Sequence, residues 1–195
     1  MKKGSMITLV VVLFAAMFAL AQNPPMPKPG PELDKLNYFV GDWKIAGEMK
    51  PGPMGPGGKF GGTQHATWMP GKFFVVLNSK TAAGPTTVTG TGYIGYNPED
   101  KVYTYHEFNS DGETVDAKGT VQGDTWSWTS EDKMQGKVVK GRFTEKITSP
   151  TSYEIKFEAS VDGGPFGTVM EAKATKGGGA GAAAKPAEST KPEKK

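Results

Sequence analysis

The sequence feature that most constrains the fold is a period-two alternation of apolar and polar residues that recurs along the chain. Its plainest example is residues 153–161, where Tyr153 and Ile155 alternate with charged neighbours. Successive side chains of a β-strand point to opposite faces of a sheet, so this pattern predicts a strand with one buried face. Residues 137–148 and 124–130 alternate in the same way. The pattern predicts an all-β fold.

Turn-forming residues separate the alternating segments at short intervals. Pro98 stands where a type I turn prefers proline, and Gly84, Gly112 and Gly123 lie in other predicted turns. No segment of helical length interrupts the later strands, so neighbours in sequence are predicted to pair as antiparallel hairpins. About ten strands are predicted, over residues 42–49, 62–69, 72–79, 86–96, 101–109, 113–121, 124–130, 137–148, 152–161 and 166–175.

An antiparallel meander of this length has two unpaired edges unless it closes on itself. An up-and-down β-barrel is therefore the predicted architecture. A two-sheet sandwich is the alternative, because strand patterns alone do not separate the two. Before the first strand, Leu33, Leu36 and Phe39 recur at helical spacing, which predicts a short helix over residues 32–39 that Gly41 ends.

The two ends of the chain differ in composition from this predicted domain. Residues 1–21 contain two lysines, an apolar run and an Ala-x-Ala site, the pattern of a cleaved secretory signal peptide. Residues 22–31 are proline-rich and predict an extended linker, and residues 177–195, rich in Gly, Ala, Lys and Pro, predict a disordered tail. Residues 32–176 are the predicted barrel domain. We expect export to the periplasm or the extracellular space, with no stable membrane insertion after cleavage.

Charge and cysteine content narrow the classes of function. Cleavage after residue 21 leaves 21 basic and 20 acidic residues, a formal charge of +1, so no nucleic-acid partner is predicted. The chain has no cysteine and therefore no disulfide, thiol nucleophile or cysteine metal site. Its two histidines, His65 and His106, lie on non-adjacent predicted strands, so no metal site is predicted. No feature of the sequence specifies an oligomeric state.

The short predicted helix leads into Gly41-Asp42-Trp43 at the start of the first strand, and a Gly-Tyr-x-x-Tyr-Asn turn follows at residues 92–97. In this arrangement, residues 32–176 resemble the calycin group, which includes lipocalins, fatty-acid-binding proteins and haem-binding nitrobindin-like barrels. They resemble more closely an uncharacterised bacterial domain family that has a first-strand Gly-x-Trp.

The resemblance implies three structural roles and one cofactor. Trp43 would close one end of the barrel beneath a basic side chain from near the end of the chain. Lys173 is the matching residue, with Lys176 as the second choice. Gly41 would permit the bend from helix to strand. The nitrobindin likeness would also permit a haem held by a single histidine, and no other cofactor is predicted.

Aromatic residues in the predicted strands supply the functional expectation, an apolar cavity that binds a small apolar or amphipathic molecule. Two alternatives remain open: a filled barrel that serves as a structural or interaction scaffold of the cell envelope, and an enzyme that uses barrel carboxylates such as Glu107, Asp116 and Glu145. The glycine-rich residues 50–62 are expected to form either a flexible lid over one mouth of the barrel or a disordered insertion. The predicted ligand-binding residues are Trp68, Tyr93, Tyr105, His106, Trp126, Trp128 and Phe157.

Overall fold

The computed structural model describes residues 27–52, 55–134 and 136–177. The predicted signal peptide, residues 22–26 of the predicted linker and residues 178–195 of the predicted tail lie outside the described residues. One 3-10 helix, Pro31–Tyr38, precedes ten strands. The strands are β1 (Gly41–Met49), β2 (Gly58–Trp68), β3 (Val75–Ala83), β4 (Thr86–Asn97), β5 (Val102–Asn109), β6 (Thr114–Gln122), β7 (Thr125–Met134), β8 (Lys137–Ser149), β9 (Ser152–Val161) and β10 (Gly167–Lys176).

The ten strands form a closed antiparallel barrel in which each strand pairs with its neighbours in sequence. Closure comes from β1 and β10, which pair from Trp43 opposite Lys176 to Met49 opposite Met170. The predicted up-and-down barrel is confirmed, and the sandwich alternative is wrong. Within the described residues, no helix has the length and apolarity to cross a lipid bilayer.

The 3-10 helix covers one end of the barrel. Leu33 and Leu36 are buried, and both belong to the hydrophobic core. The hydroxyl of Tyr38 donates hydrogen bonds to the carbonyl oxygens of Ser149 and Ser152, at 2.9 and 2.8 Å. These contacts hold the helix across the turn between β8 and β9, so this end of the barrel is closed.

Trp43 fills the closed end. Its side chain is 1% exposed, and its indole N–H donates a 2.7 Å hydrogen bond to the carbonyl of Phe39. The ammonium group of Lys176 lies 5.2 Å from the centroid of the indole, within the range of a cation–π contact. The expectation for Lys173 is therefore corrected: Lys173 pairs with Ala46 and is exposed, because it alternates onto the outer face of β10.

Most strand bounds lie within one residue of the predicted ones, whereas the starts of β2 and β3 and the ends of β3 and β7 differ by three or four residues. β2 begins at Gly58, so the connection from β1 is shorter than the predicted glycine-rich lid. β3 begins at Val75, because the chain turns after Trp68 and Lys72 adopts a left-handed φ of 56°. Gly41 has a φ of 120° where the helix passes into β1, a conformation that favours glycine.

Candidate functional site

The interior of the barrel changes character from the closed end to the open end. Near the helix it is packed with apolar and aromatic side chains. Towards the open end, many inward positions carry small or polar residues and keep intermediate exposure, so water reaches this half of the interior. The inward residues of intermediate exposure include Gly62, Ser79, Thr81, Glu107, Asn109, Ser130 and Asp132, whereas Gly90 and Gly141 are inward and buried.

An aromatic floor separates the two halves. The rings of Trp126 and Trp128 lie nearly parallel, with centroids 6.1 Å apart and an interplanar angle of 17°. Tyr105 lies 6.0 Å from Trp128. The ring of Trp128 occupies the space above Gly119, where any Cβ would collide with it. Glycine at that position therefore allows the indole to lie flat against β6.

Glu145 lies beside this floor on β8, opposite Trp126. Its carboxylate accepts a 3.1 Å hydrogen bond from the indole N–H of Trp128. Burial raises the pKa of Glu145 to about 7, although the hydrogen bond from Trp128 opposes the shift. The residue is deep within the barrel and yet keeps intermediate exposure, because it faces the interior space. This carboxyl group can therefore change its charge near neutral pH at a partly exposed position inside the barrel.

Tyr105 links Glu145 to a second carboxylate. Burial raises the pKa of Tyr105 well above its ordinary value, and the charge of Glu107, its hydrogen bond to Tyr105 and the charge of Glu145 raise it further. Ser79 donates a weak hydrogen bond to Glu107, at 3.4 Å. The side-chain oxygens of Ser79, Glu107 and Asn109 converge above Gly90, where a Cβ would collide with all three. Two carboxylates and a phenol therefore face the same interior space.

The charged side chains that face the barrel interior are mostly acidic. Strand register turns Glu107, Asp132 and Glu145 inward between the two ends of the barrel. Among the described strands, lysine occupies inward positions only at the strand ends, as Lys137 at the open rim and Lys176 at the closed end. The accessible half of the barrel is therefore electronegative.

The barrel brings only part of the predicted ligand-binding set together. Trp126, Trp128 and Tyr105 adjoin Glu145, whereas Phe157 lies beside Phe143, with ring centroids 6.4 Å apart. Trp68 points to the closed end, where its indole N–H donates a 2.9 Å hydrogen bond to Asn37.

Tyr93 and His106 are corrections to the predicted set. They pair with each other on β4 and β5 and lie on the outer face, because Ile94 and Tyr105 take the inward positions beside them. His106 is hydrogen-bonded to Asp116 on that outer face, so Asp116 is not an interior carboxylate. Ser79 and Asn109 face the interior and were missed, because their residue types are common in exposed strands.

The histidines do not fit an interior haem. His65 lies on the outer face with its ring nitrogen 2.6 Å from a carboxylate oxygen of Asp42, and His106 is also outside the barrel. Neither can reach an iron atom in the interior. In the described part of the chain, no three His, Asp or Glu residues are grouped so as to hold a metal ion.

The barrel wall is notched between β6 and β7. Pairing of these strands stops at Lys118 opposite Thr129, whereas β5–β6 and β7–β8 pairing continues towards the open end. Residues 114–117 and 130–134 therefore have a strand partner on one side only. A depression of about 490 Å3 lies over this notch. Its lining residues are Thr104, His106, Asp116, Ala117, Lys118, Thr129, Ser130, Glu131, Lys140, Gly141 and Phe166.

Fold and site together define a closed antiparallel barrel with an accessible, electronegative half. A family model described as "Protein of unknown function (DUF1579)" matches residues 28–176, and the chain belongs to that family. No curated protein sequence matches the chain.

Solved structures of low sequence identity share the fold. The crystal structure of Rv2717c from M. tuberculosis is similar with a TM-score of 0.54 and 14% identity, over 77% of this chain and 99% of that one. The S-type phycobiliprotein lyase CPES from Guillardia theta is similar with a TM-score of 0.51 and 8% identity, over 75% of this chain and 93% of that one. At these identities the similarity extends to the fold alone.

Proposed function

We propose that this protein is an exported barrel of calycin type that binds a small amphipathic molecule in its interior. The observation that carries the proposal is the position of Glu145, which faces the barrel interior beside an aromatic floor, accepts a hydrogen bond from Trp128 and remains partly exposed. Ligand sites are typically concave, mostly apolar and furnished with a few polar groups that orient the ligand. Inside this barrel the aromatic floor supplies apolar surface, and Glu107 and Glu145 supply polar groups. The N-terminal sequence pattern supports export.

The chemistry of the walls specifies the two ends of the ligand. Its apolar part would pack against Trp126, Trp128 and Tyr105, since aromatic faces offer large apolar contact areas. Its polar end would lie between Glu107 and Glu145, which accept hydrogen bonds and carry negative charge when ionised. A group that donates hydrogen bonds or carries positive charge is complementary to both carboxylates, and an ammonium group also gains from nearby indole faces. We infer a ligand with an apolar body and a donor or cationic end.

Filling the interior is expected to abolish binding. Val115 faces inward on β6 beside Glu107, so Val115→Trp would occupy the proposed site. We expect this variant to bind an environment-sensitive apolar dye at least tenfold more weakly than wild type, as measured by fluorescence titration. Thr114→Trp adds the same side chain at the exposed neighbouring position and should bind as wild type. A wild-type protein that leaves the dye unbound would favour the scaffold alternative.

The sign of the interior charge predicts a preference between two probes that share one aromatic body. At pH 8 the probe that ends in an ammonium group should bind at least tenfold more tightly than the probe that ends in a carboxylate. The double variant Glu107→Gln, Glu145→Gln should lose this preference, because amides retain hydrogen bonding without charge. The matched control is Glu48→Gln, Glu171→Gln, which removes two exposed carboxylates. Equal affinity of wild type for both probes would refute the inferred polar end.

A further inference from the structure

We propose that the notch between β6 and β7 is the passage through which the ligand reaches the interior. This inference rests on the proposed function, and it adds the route that leads to that site. The notch is defined by residues 114–117 of β6 and residues 130–134 of β7, which do not pair with each other.

Strand pairing makes the notch the part of the wall that can widen most easily. Elsewhere, separating two strands would break the backbone hydrogen bonds of a ladder, whose polar groups would then need new partners. Beyond Lys118 and Thr129, β6 and β7 have no such ladder to break. Both flanking strands remain anchored on their far sides, β6 by β5 and β7 by β8. The edges can therefore move apart without loss of the barrel.

Small residues line the inner side of the notch. Ala117, Ser130 and Gly141 hold inward positions and also line the outer depression, so the depression reaches residues of the inner face of the wall. A Cβ at Gly141 would collide with the hydroxyl of Ser130 and lie 3.0 Å from the ring of Phe157. Glycine at this position thus leaves room for the Ser130 hydroxyl and the Phe157 ring at the inner side of the notch. A molecule that passes here would next contact Phe157.

The outer rim of the notch combines charged and aromatic groups. Asp116 pairs with His106 on one side, and Glu131 pairs with Lys140 at 3.3 Å on the other. All four side chains are at least half exposed, so these pairs contribute little to stability and can rearrange at low cost. Phe166, which is 42% exposed, lies at the edge of the depression. An amphipathic molecule would find contacts for both of its ends at this rim.

Cross-linking the two edges tests the passage. The chain contains no cysteine, so Asp116→Cys and Glu131→Cys would introduce its only two thiols. Bis-maleimide linkers of two lengths would then bridge the notch, with complete reaction verified by mass spectrometry. The matched control carries Thr120→Cys and Ser127→Cys, which lie opposite each other where β6 and β7 are paired. Stopped-flow fluorescence gives association and dissociation rates for the apolar dye.

A passage controls how fast the dye associates and dissociates, but it does not change the contacts of the bound dye or its equilibrium affinity. We expect bridging at 116 and 131 to slow dye association and dissociation at least tenfold each, with Kd within about twofold of the unbridged protein. The unbridged double variant and the bridged control should keep wild-type rates. Unchanged rates in the fully bridged protein would overturn the passage and leave interior binding intact. Failure of the wild-type protein to bind the dye at equilibrium would overturn both.

Discussion

Replacing Trp43 with alanine is expected to lower the free energy of unfolding by about 3 to 5 kcal/mol, the range for removal of a buried aromatic side chain. The indole is 1% exposed and lies 4.8 Å from the ring of Tyr153. Its loss would leave a cavity beneath the helix and remove the partner of the Phe39 carbonyl. Urea denaturation followed by circular dichroism measures the change.

Two further variants separate the contributions of Trp43. Trp43→Phe keeps most of the packing but removes the indole N–H, so a smaller loss of about 1 to 3 kcal/mol is expected. Phe108→Ala removes an aromatic ring that is 60% exposed, and the expected change stays within about 0.5 kcal/mol. A loss below about 1 kcal/mol for Trp43→Ala would show that the closed end does not unfold together with the barrel.

Alternation located the strands best where the two faces of a strand differ most in polarity. The prediction for residues 152–161 coincides with β9, in which Tyr153 and Ile155 are buried and Glu154 is exposed. Glycine removes this information, because a residue without a side chain shows no preference for either face. For that reason the sequence predicts a loop through Gly61 and the glycines before it, whereas β2 begins at Gly58.

The site was harder to predict because β5 has mixed chemistry on both faces. Tyr105 and Glu107 point inward, while His106 and Phe108 point outward. Each face thus carries one aromatic and one ionisable residue, and alternation alone does not select between them. The choice follows from pairing with β4, where Gly92 lies opposite Glu107 and is buried. Register of this kind depends on tertiary structure.

Register also explains the two features that sequence patterns did not indicate. Period-two alternation assigns a side chain to a face but does not say which residue lies across from it. The basic residue over Trp43 is therefore Lys176, its direct partner on β10, and the predicted Lys173 lies three residues earlier. The end of β6–β7 pairing at Lys118 is likewise a property of two strands together.

Glu145 is expected to make the barrel less stable as pH rises towards neutrality. Its carboxyl has a pKa of about 7 in the folded protein, against 4.5 as its ordinary value, because burial disfavours the charged form. The folded state therefore binds the proton more tightly than the unfolded state does. The resulting stabilisation is present in full below about pH 4.5 and is lost as pH rises through about 7.

Glu145→Gln should remove this pH dependence, because the amide cannot ionise and its oxygen can still accept the hydrogen bond from Trp128. At pH 8 we expect the variant to be about 2 to 3 kcal/mol more stable than wild type, since each pKa unit corresponds to about 1.4 kcal/mol and interior water offsets part of the penalty. At pH 4.5 the two proteins should differ by less than about 1 kcal/mol.

Comparing wild type with Glu145→Gln at each pH isolates the effect of Glu145 on stability, because the two proteins share all other titrating groups. Urea denaturation across pH 4.5 to 8 gives the difference in unfolding free energy at each pH, and Glu48→Gln, an exposed carboxylate on β1, supplies the flat control. A difference that stays constant across this range would mean that interior water solvates the Glu145 carboxylate as well as bulk water does. Glu145 would then titrate like a surface carboxylate. The inferred donor or cationic end of the ligand would rest on Glu107 alone.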